Sequence, residues 1–361
     1  MNLHDKPFDE TTITKLKLFE DYAQAWIPTF IMQSYVKEIH IFDFFAGTGY
    51  DLKEVPGSPI RLIEKIIEQR GNIFQKKIKM VLHLNEFDKG KHELLVTSCS
   101  NRLKQENGMY LYVKLEFYNK DFGVLFPELL PIIKKYPSLV YLDQNGVKFL
   151  SNQYLKQLES TKQTDFLYFA ASSYIRRFGE LEEFKNHLSN IDVEELKNTH
   201  YHKVHRILTK QLQKNISSNS NLKLFPFSLK KNIYGVIFGA SHFSAFNKFL
   251  NIAWKYNGKN GDANFDIDDE TNIGQLSMFE GPRLTKIEAF QQQVRDKILN
   301  RDIKTNKELL NFVFENGHIG KHADECLREM KNQKLITYNS KSPCVTYDSI
   351  IKNKIVHYEK I

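Results

Sequence analysis

Glu38-Ile39-His40-Ile41-Phe42-Asp43-Phe44-Phe45-Ala46-Gly47-Thr48-Gly49 is an apolar run that stops abruptly in small residues. A short apolar run closed by glycine reads as a buried strand, and glycines directly after a strand let the backbone take positive φ and approach a ligand closely. The same grammar recurs downstream. Lys79 to Leu84 ends at Asn85-Glu86-Phe87-Asp88, and Tyr110 to Tyr118 ends at Asn119-Lys120-Asp121. Ser138 to Leu142 ends at Asp143-Gln144-Asn145-Gly146, and Asp165 to Ala170 ends at Ala171-Ser172-Ser173. Helical patterns separate these strands, so the expectation is an α/β domain with a mostly parallel sheet and right-handed crossovers. Every strand gives way to polar or small residues at its carboxyl end, the edge where open α/β sheets bind ligands.

Working outward, Phe8 to Val36 has helical spacing, and a helix is expected over Pro59 to Gln69, with Ser58 placed to cap it and Pro59 at its first position. Leu181 to Lys214 reads as a helical insertion, followed by an exposed loop at Ile216 to Asn221. Asn232 to Gly239 reads as a further strand and Ala245 to Trp254 as a helix that finishes the sheet. Gly258 to Glu280 is irregular, which sets a domain boundary near Pro282: residues 1–282 for the α/β domain, with its insertion around 179–222, and 283–361 for a second domain. That second domain reads as helices over Leu284 to Leu299, Asn306 to Asn316 and Lys321 to Gln333. A strand over Leu335 to Tyr338, a tip at Ser340 to Pro343 and a second strand through Val345 and Tyr347 complete a winged-helix-like domain. Such domains read DNA with the third helix or serve as protein-interaction modules.

With 361 residues, 41% of them hydrophobic, the chain has enough apolar material for two cores. No apolar run is long enough to span a membrane and Met1 to Glu10 has no signal-type core, so a soluble cytoplasmic protein without membrane partners is expected. Cys99, Cys326 and Cys344 match no zinc or disulfide spacing and are expected to be reduced thiols. The formal net charge of +8 is unevenly spread: Lys197 to Lys231 holds eight Lys/Arg and no Asp or Glu. Such a run attracts phosphate backbones, making DNA or RNA a candidate partner, although it also suits an ordinary solvated surface.

The chemistry-bearing residues gather at the strand ends. Only two of the three glycines of a dinucleotide fingerprint are present, and Tyr50 to Gly57 separates Gly49 from the Ser58-Pro59 helix start. A pyrophosphate cradle runs straight into its helix, so this spacing favours an adenosyl ligand without phosphates, S-adenosylmethionine. Asp43, Ala46, Gly47 and Gly49 are the cofactor-binding candidates of the first strand and its turn. Glu86 suits a ribose diol, because one carboxylate offers two accepting oxygens to two neighbouring hydroxyls; Asp88 is its alternative. Asp121 is placed to face an adenine amino group. Asp143 and Asn145 are the catalytic candidates, as base or as orienting groups for the atom that receives a methyl group. No proline or aromatic of the amino-methyltransferase signature follows Asp143. Arg176, Arg177, His202 and His205 are candidates for substrate contact, with surface histidines the plainer reading. Asp43, Glu86, Asp121 and Asp143 together suggest a Mg²⁺-dependent nuclease as a further reading, without a nuclease motif to accompany it.

Several of these segments together resemble the three-Cys-motif partner protein family. The matching pieces are Asp43 to Gly49, Pro56-Gly57-Ser58-Pro59, Tyr141 to Gly146, Asp165 to Phe169, Tyr234 to Trp254, Gly261 to Asp266 and Gln275 to Glu280. The resemblance spans roughly residues 12–330. It implies a Rossmann-like, class I methyltransferase-type fold and a partner related to radical-SAM enzymes that carries the three cysteines. The chain departs from the family pattern at Thr48, where proline is common, and at Gln144-Asn145, where Pro-Phe is common. Two function classes follow: a methyltransferase acting on nucleic acid or a partner-bound substrate, and a non-catalytic nucleic-acid-binding or adaptor protein on a degenerate methyltransferase fold.

Overall fold

The computed structural model describes residues 7–143, 152–181, 190–200, 203–229, 234–258, 260–261 and 284–361. They form two compact units, Met1–His242 and Phe243–Ile361. The boundary expected near Pro282 lies outside the described residues, and packing divides the chain earlier. The helix expected to finish the sheet thereby groups with the C-terminal unit.

The first unit is built on seven strands: β1 (Glu38–Asp43), β2 (Lys79–Asn85), β3 (Val113–Tyr118), β4 (Ser138–Leu142), β5 (Thr164–Ala170), β6 (Lys223–Leu229) and β7 (Tyr234–Ala240). Their order is β3-β2-β1-β4-β5-β7-β6. The first five run parallel, and β7 runs antiparallel to both of its neighbours. This differs from the dinucleotide-binding order 3-2-1-4-5-6 by one reversed strand between the fifth and the sixth. It is the class I methyltransferase-type sheet.

Nine helices of this unit are described: α1 (Glu10–Ile31), α2 (Ser58–Glu68), α3 (Arg70–Lys76), α4 (Lys89–Lys104), α5 (Phe122–Lys135), α6 (Asn152–Glu159), α7 (Ser172–Phe178), α8 (Val193–Asn198) and α9 (Val204–Lys214). Because side chains alternate across a strand, Phe42 of β1 and Phe44 just after it share one face of the sheet. They pack with Phe122 and Phe126 of α5, Ile175 of α7, and Leu208 and Leu212 of α9 in one buried cluster. On the other face α1 lies over β4 and β5: the Tyr141 hydroxyl donates to the Phe19 carbonyl at 2.6 Å, and the Tyr22 hydroxyl donates to Asp165 at 2.6 Å. A buried polar chain crosses the first three strands, with His40 Nδ1 2.9 Å from His83 Nε2 and His83 Nδ1 2.9 Å from the Tyr118 hydroxyl. Burial pushes the His83 pKa down to about 3, so that ring is neutral near pH 7.

Three local expectations are corrected. Ser58 does not cap α2: Gly57 occupies the cap position without a side-chain bond, and the Ser58 hydroxyl donates to Asp43 instead. The strand β6 was not expected, because Pro226 interrupts its pattern; as the outer strand of the sheet it tolerates a residue without an N–H. His205 is not a surface residue. It is fully buried, its Nδ1 2.7 Å from the Ser172 hydroxyl, and its ring fills the space that a side chain at Gly235 would need.

The second unit contains α10 (Phe243–Tyr256), α11 (Lys286–Leu299), α12 (Asn306–Glu315), α13 (Gly320–Asn332), β8 (Ile336–Tyr338), α14 (Tyr347–Ile351) and β9 (Tyr358–Lys360). Capping boxes open α11 (Thr285 with Glu288) and α12 (Thr305 with Glu308). Helices α11 to α13 and the β8–β9 ribbon make a winged-helix domain. The ribbon's second strand is Tyr358–Lys360 and not the expected stretch through Val345 and Tyr347. Val345 is buried with its N–H donating to Asp324, and Thr346 caps the short helix that follows. No helix among the described residues is long and apolar enough to cross a membrane.

Candidate functional site

The carboxyl ends of β1, β2 and β4 converge, and the turn after β1 sets the geometry. Gly47 and Gly49 have φ of 66° and 93°, values that an L side chain rarely adopts. A Cβ at Gly49 would also come within 2.9 Å of Ser98 Cβ. The Ala46 N–H donates to the Asn85 carbonyl at 2.9 Å, so the turn leans on the end of β2. The Asn85 side chain bonds the Phe44 carbonyl and both the N–H and the carbonyl of Lys120, clamping three strand ends together. Tyr50 to Pro56 closes as a small antiparallel bridge. Asp51 organises that loop, accepting from the N–H groups of Lys53 and Val55 at 2.8 Å and of Phe8 at 2.9 Å.

Asp43 is 1% exposed beneath the turn. It accepts from the Ser58 hydroxyl at 2.6 Å and from the Phe45 N–H at 3.2 Å. Burial pushes its pKa up to about 7 against those two hydrogen bonds, with Asp143 and Glu86 adding to the rise. Glu86 is half-buried; one oxygen accepts from the Gly47 N–H at 3.1 Å and the other from the Asp88 N–H at 2.9 Å. The β1 turn and the end of β2 are thus joined through this one carboxylate.

Asp143 closes the edge at β4, where the Lys15 ammonium lies 2.7 Å and 2.6 Å from its two oxygens. Lys15 is buried, and its ammonium also sits 4.5 Å from the centre of the Phe169 ring. Sequence reasoning missed this residue. Its signal was position: Lys15 shares the buried stripe of α1 with Leu18, Tyr22 and Trp26, where a lysine must find a partner.

Other candidates are engaged elsewhere. Asp121 is exposed and caps α5 through the Gly123 N–H at 2.8 Å, and Asp88 caps α4 through the Lys91 N–H at 2.9 Å. Arg176 bonds the Leu196 and Lys197 carbonyls and so closes the end of α8. Arg177 is exposed. Asn145, His202, Lys230 and Lys231 lie outside the described residues.

Comparison with known proteins adds two findings. A model of the GMT-like wHTH domain matches residues 266–343. Among solved structures, the chain is similar to Trm1 from Pyrococcus horikoshii, determined as a complex with S-adenosyl-L-methionine, at 14% identity and a TM-score of 0.40. That likeness covers 64% of this chain and 56% of that one, so the chain spans little more than half the length of Trm1. No curated protein matches.

Proposed function

We propose that the first unit binds S-adenosylmethionine at the turn after β1 and methylates a nucleic acid or a partner-bound substrate. The observation that carries this reading is the hydrogen bond from the Gly47 N–H to Glu86, which brings a side-chain-free turn and a half-buried acid to one strand edge. Each Glu86 oxygen accepts one backbone N–H and keeps a further lone pair, which suits the two hydroxyls of a ribose. Acids dominate the edge among the described residues, and Lys15, a buried cation there, is neutralised by Asp143. That balance repels a pyrophosphate and suits a ligand that carries a sulfonium and an ammonium group.

Gly47 and Gly49 keep the turn free of side chains, Asp43 supports it from below, and Glu86 holds the ribose. Asp121, at the third strand end, caps α5 with one oxygen and would offer the other to the adenine amino group. When bound, the cofactor supplies an electrophilic methyl group. Asp143 and Asn145, after β4, orient the accepting atom, and Lys15 fixes Asp143 in place. The sequence resemblance adds a radical-SAM-like three-Cys-motif protein as working partner.

Isothermal titration of the full chain with S-adenosylmethionine and S-adenosylhomocysteine tests the reading. Saturable binding that is abolished in Gly49→Val and weakened at least about tenfold in Glu86→Gln supports it. Absence of binding by wild-type protein, with and without the partner, overturns it in favour of a non-catalytic adaptor. The engagement of both Asp143 oxygens by Lys15 is the observation that favours that second reading.

A further inference from the structure

Helices α7 and α9 leave the same end of the sheet side by side. The 2.7 Å contact between the Ser172 hydroxyl and His205 Nδ1 pins their first turns together, directly after β5. Both turn their apolar positions inward, and what each turns outward differs. On α7, Tyr174, Arg177 and Phe178 recur at i, i+3 and i+4, which places them on one stripe, and Leu181 follows just past the helix end. The stripe and Leu181 face solvent: Tyr174 is 38%, Phe178 39% and Leu181 47% exposed. The two rings lie 4.8 Å apart, and the Arg177 guanidinium is 6.0 Å from the centre of Phe178. Lys203 at the N-cap of α9 and Lys210 and Lys214 on the helix are exposed at i, i+7 and i+11, and none of them makes an ion pair among the described residues.

We infer that this paired surface, aromatic on α7 and cationic on α9, is the docking platform for single-stranded nucleic acid. A single strand presents a line of phosphates and unstacked bases, and it is held by cations that track the backbone and by rings on which bases stack. The charge on α9 complements the phosphates, and the ring stripe on α7 offers the faces that unpaired bases need. The platform begins beside β4, where Asp143 lies, so it names the substrate class of the proposed methyltransferase and in that respect rests on that reading. The third helix of the winged-helix domain offers no comparable surface. There Lys321 pairs with Glu325, Arg328 with Asp324, and Lys331 lies over the Tyr338 ring.

Fluorescence anisotropy of the full chain with labelled oligouridine, oligothymidine and a mixed-sequence duplex tests the platform across a salt series from about 50 to 200 mM. Binding of the single strands in preference to the duplex is expected, and the two single-strand arms tell RNA from DNA. The combined Lys203→Ala, Lys210→Ala and Lys214→Ala variant is expected to lower the salt slope by about 2. Tyr174→Ala and Phe178→Ala each weaken single-strand binding by about tenfold. Lys321→Ala with Arg328→Ala leaves it unchanged. Thermal melts of these surface variants stay at the wild-type midpoint. The inference is overturned if no oligonucleotide binds at the lowest salt, if the duplex binds as well as the single strands, or if only the α13 variant loses binding. Calorimetry with S-adenosylmethionine on the same protein separates the two readings. Oligonucleotide binding without cofactor binding sinks the methyltransferase and keeps the platform, and the reverse result does the opposite.

Discussion

The two units spend their charges differently. In the winged-helix unit charged side chains serve the fold: Glu288 and Glu308 close capping boxes, Lys321–Glu325 and Arg328–Asp324 are spaced i, i+4 along one helix, and Arg295 pairs with Glu329. The sheet unit has such caps and pairs too, as with Asp88, Asp121 and Arg102 with Glu64. There, however, an acid is also buried beneath a glycine turn, a buried lysine meets the half-buried Asp143 at a strand edge, and Lys203, Lys210 and Lys214 make no ion pair among the described residues. A charge with a structural partner costs little to keep and says little about ligands. A buried acid, or a row of cations without acids, opposes folding or self-association and so points outward to what the protein meets.

That contrast can be broken or sharpened by experiment. Lys15→Met leaves Asp143 at the edge without its partner and is expected to cost about 3 kcal/mol in denaturant unfolding. Most of that loss returns when Asp143→Leu is added, which separates a structural pair from plain loss of packing. The next effect is at Asp43. Its folded pKa of about 7 lies above the ordinary carboxyl value, so the stability it contributes is full below about pH 4 and is lost as pH rises through about 7. Asp43→Asn therefore melts higher than wild type at pH 8, by about 2 kcal/mol, and the gap closes toward pH 4.

In the winged-helix unit the sign reverses. Burial pushes His318 down to about 2 and His322 down to about 4, so stability present above the ordinary histidine value of about 6.5 falls as pH drops below it. Between pH 6.5 and 5.5 the expected loss is about 1–2 kcal/mol. The two tryptophans report separately on the two units: Trp26→Phe leaves Trp254 as the probe of the second, and Trp254→Phe leaves Trp26 as the probe of the first. In the first unit His83 pushes the same way as His318 while Asp43 opposes it, so the profile seen through Trp26 is the flatter of the two. Thr305→Ala removes a capping box and costs about 1 kcal/mol. Smallest of all is Glu325→Gln, which changes stability by less than about 0.5 kcal/mol because the pair is exposed. It frees Lys321, and a measurable gain in low-salt duplex binding is the outcome that shows pairing was what kept α13 silent.

The sheet was legible because its strands are short apolar runs that end in polar or small residues, as with Ser138 to Leu142, whose limits match the structure. The strand β6 was not, since Pro226 removes the pattern that period-based reading depends on and only edge position restores the strand. The ribbon's second strand was hidden for a related reason. Val345 and Tyr347 alternate with polar residues as a strand would, yet the hydroxyl of Thr346 caps a helix there. At the candidate site, the positions of Gly47, Gly49, Asp43 and Glu86 after their strands were legible, and the structure brings them to one edge. Lys15 was not, because its partner Asp143 lies 128 residues away and no local pattern records a contact of that range. Asp121 stands at the third strand end and also caps α5 through the Gly123 N–H, a second role that its sequence context equally allowed.

The same long separations bear on how the chain is made. The first helix meets α2 nearby, through Glu20 with Arg61, but it reaches β4 and β5 through Phe19 with Tyr141, Lys15 with Asp143 and Tyr22 with Asp165, across 122, 128 and 143 residues. During synthesis the sheet-facing flank of α1, with Phe19 and Tyr22, therefore lacks its β4 and β5 partners until β5 has left the ribosome. Nascent chains halted before Thr164 should present that flank to chaperones, and chains released after Ala170 should bury it.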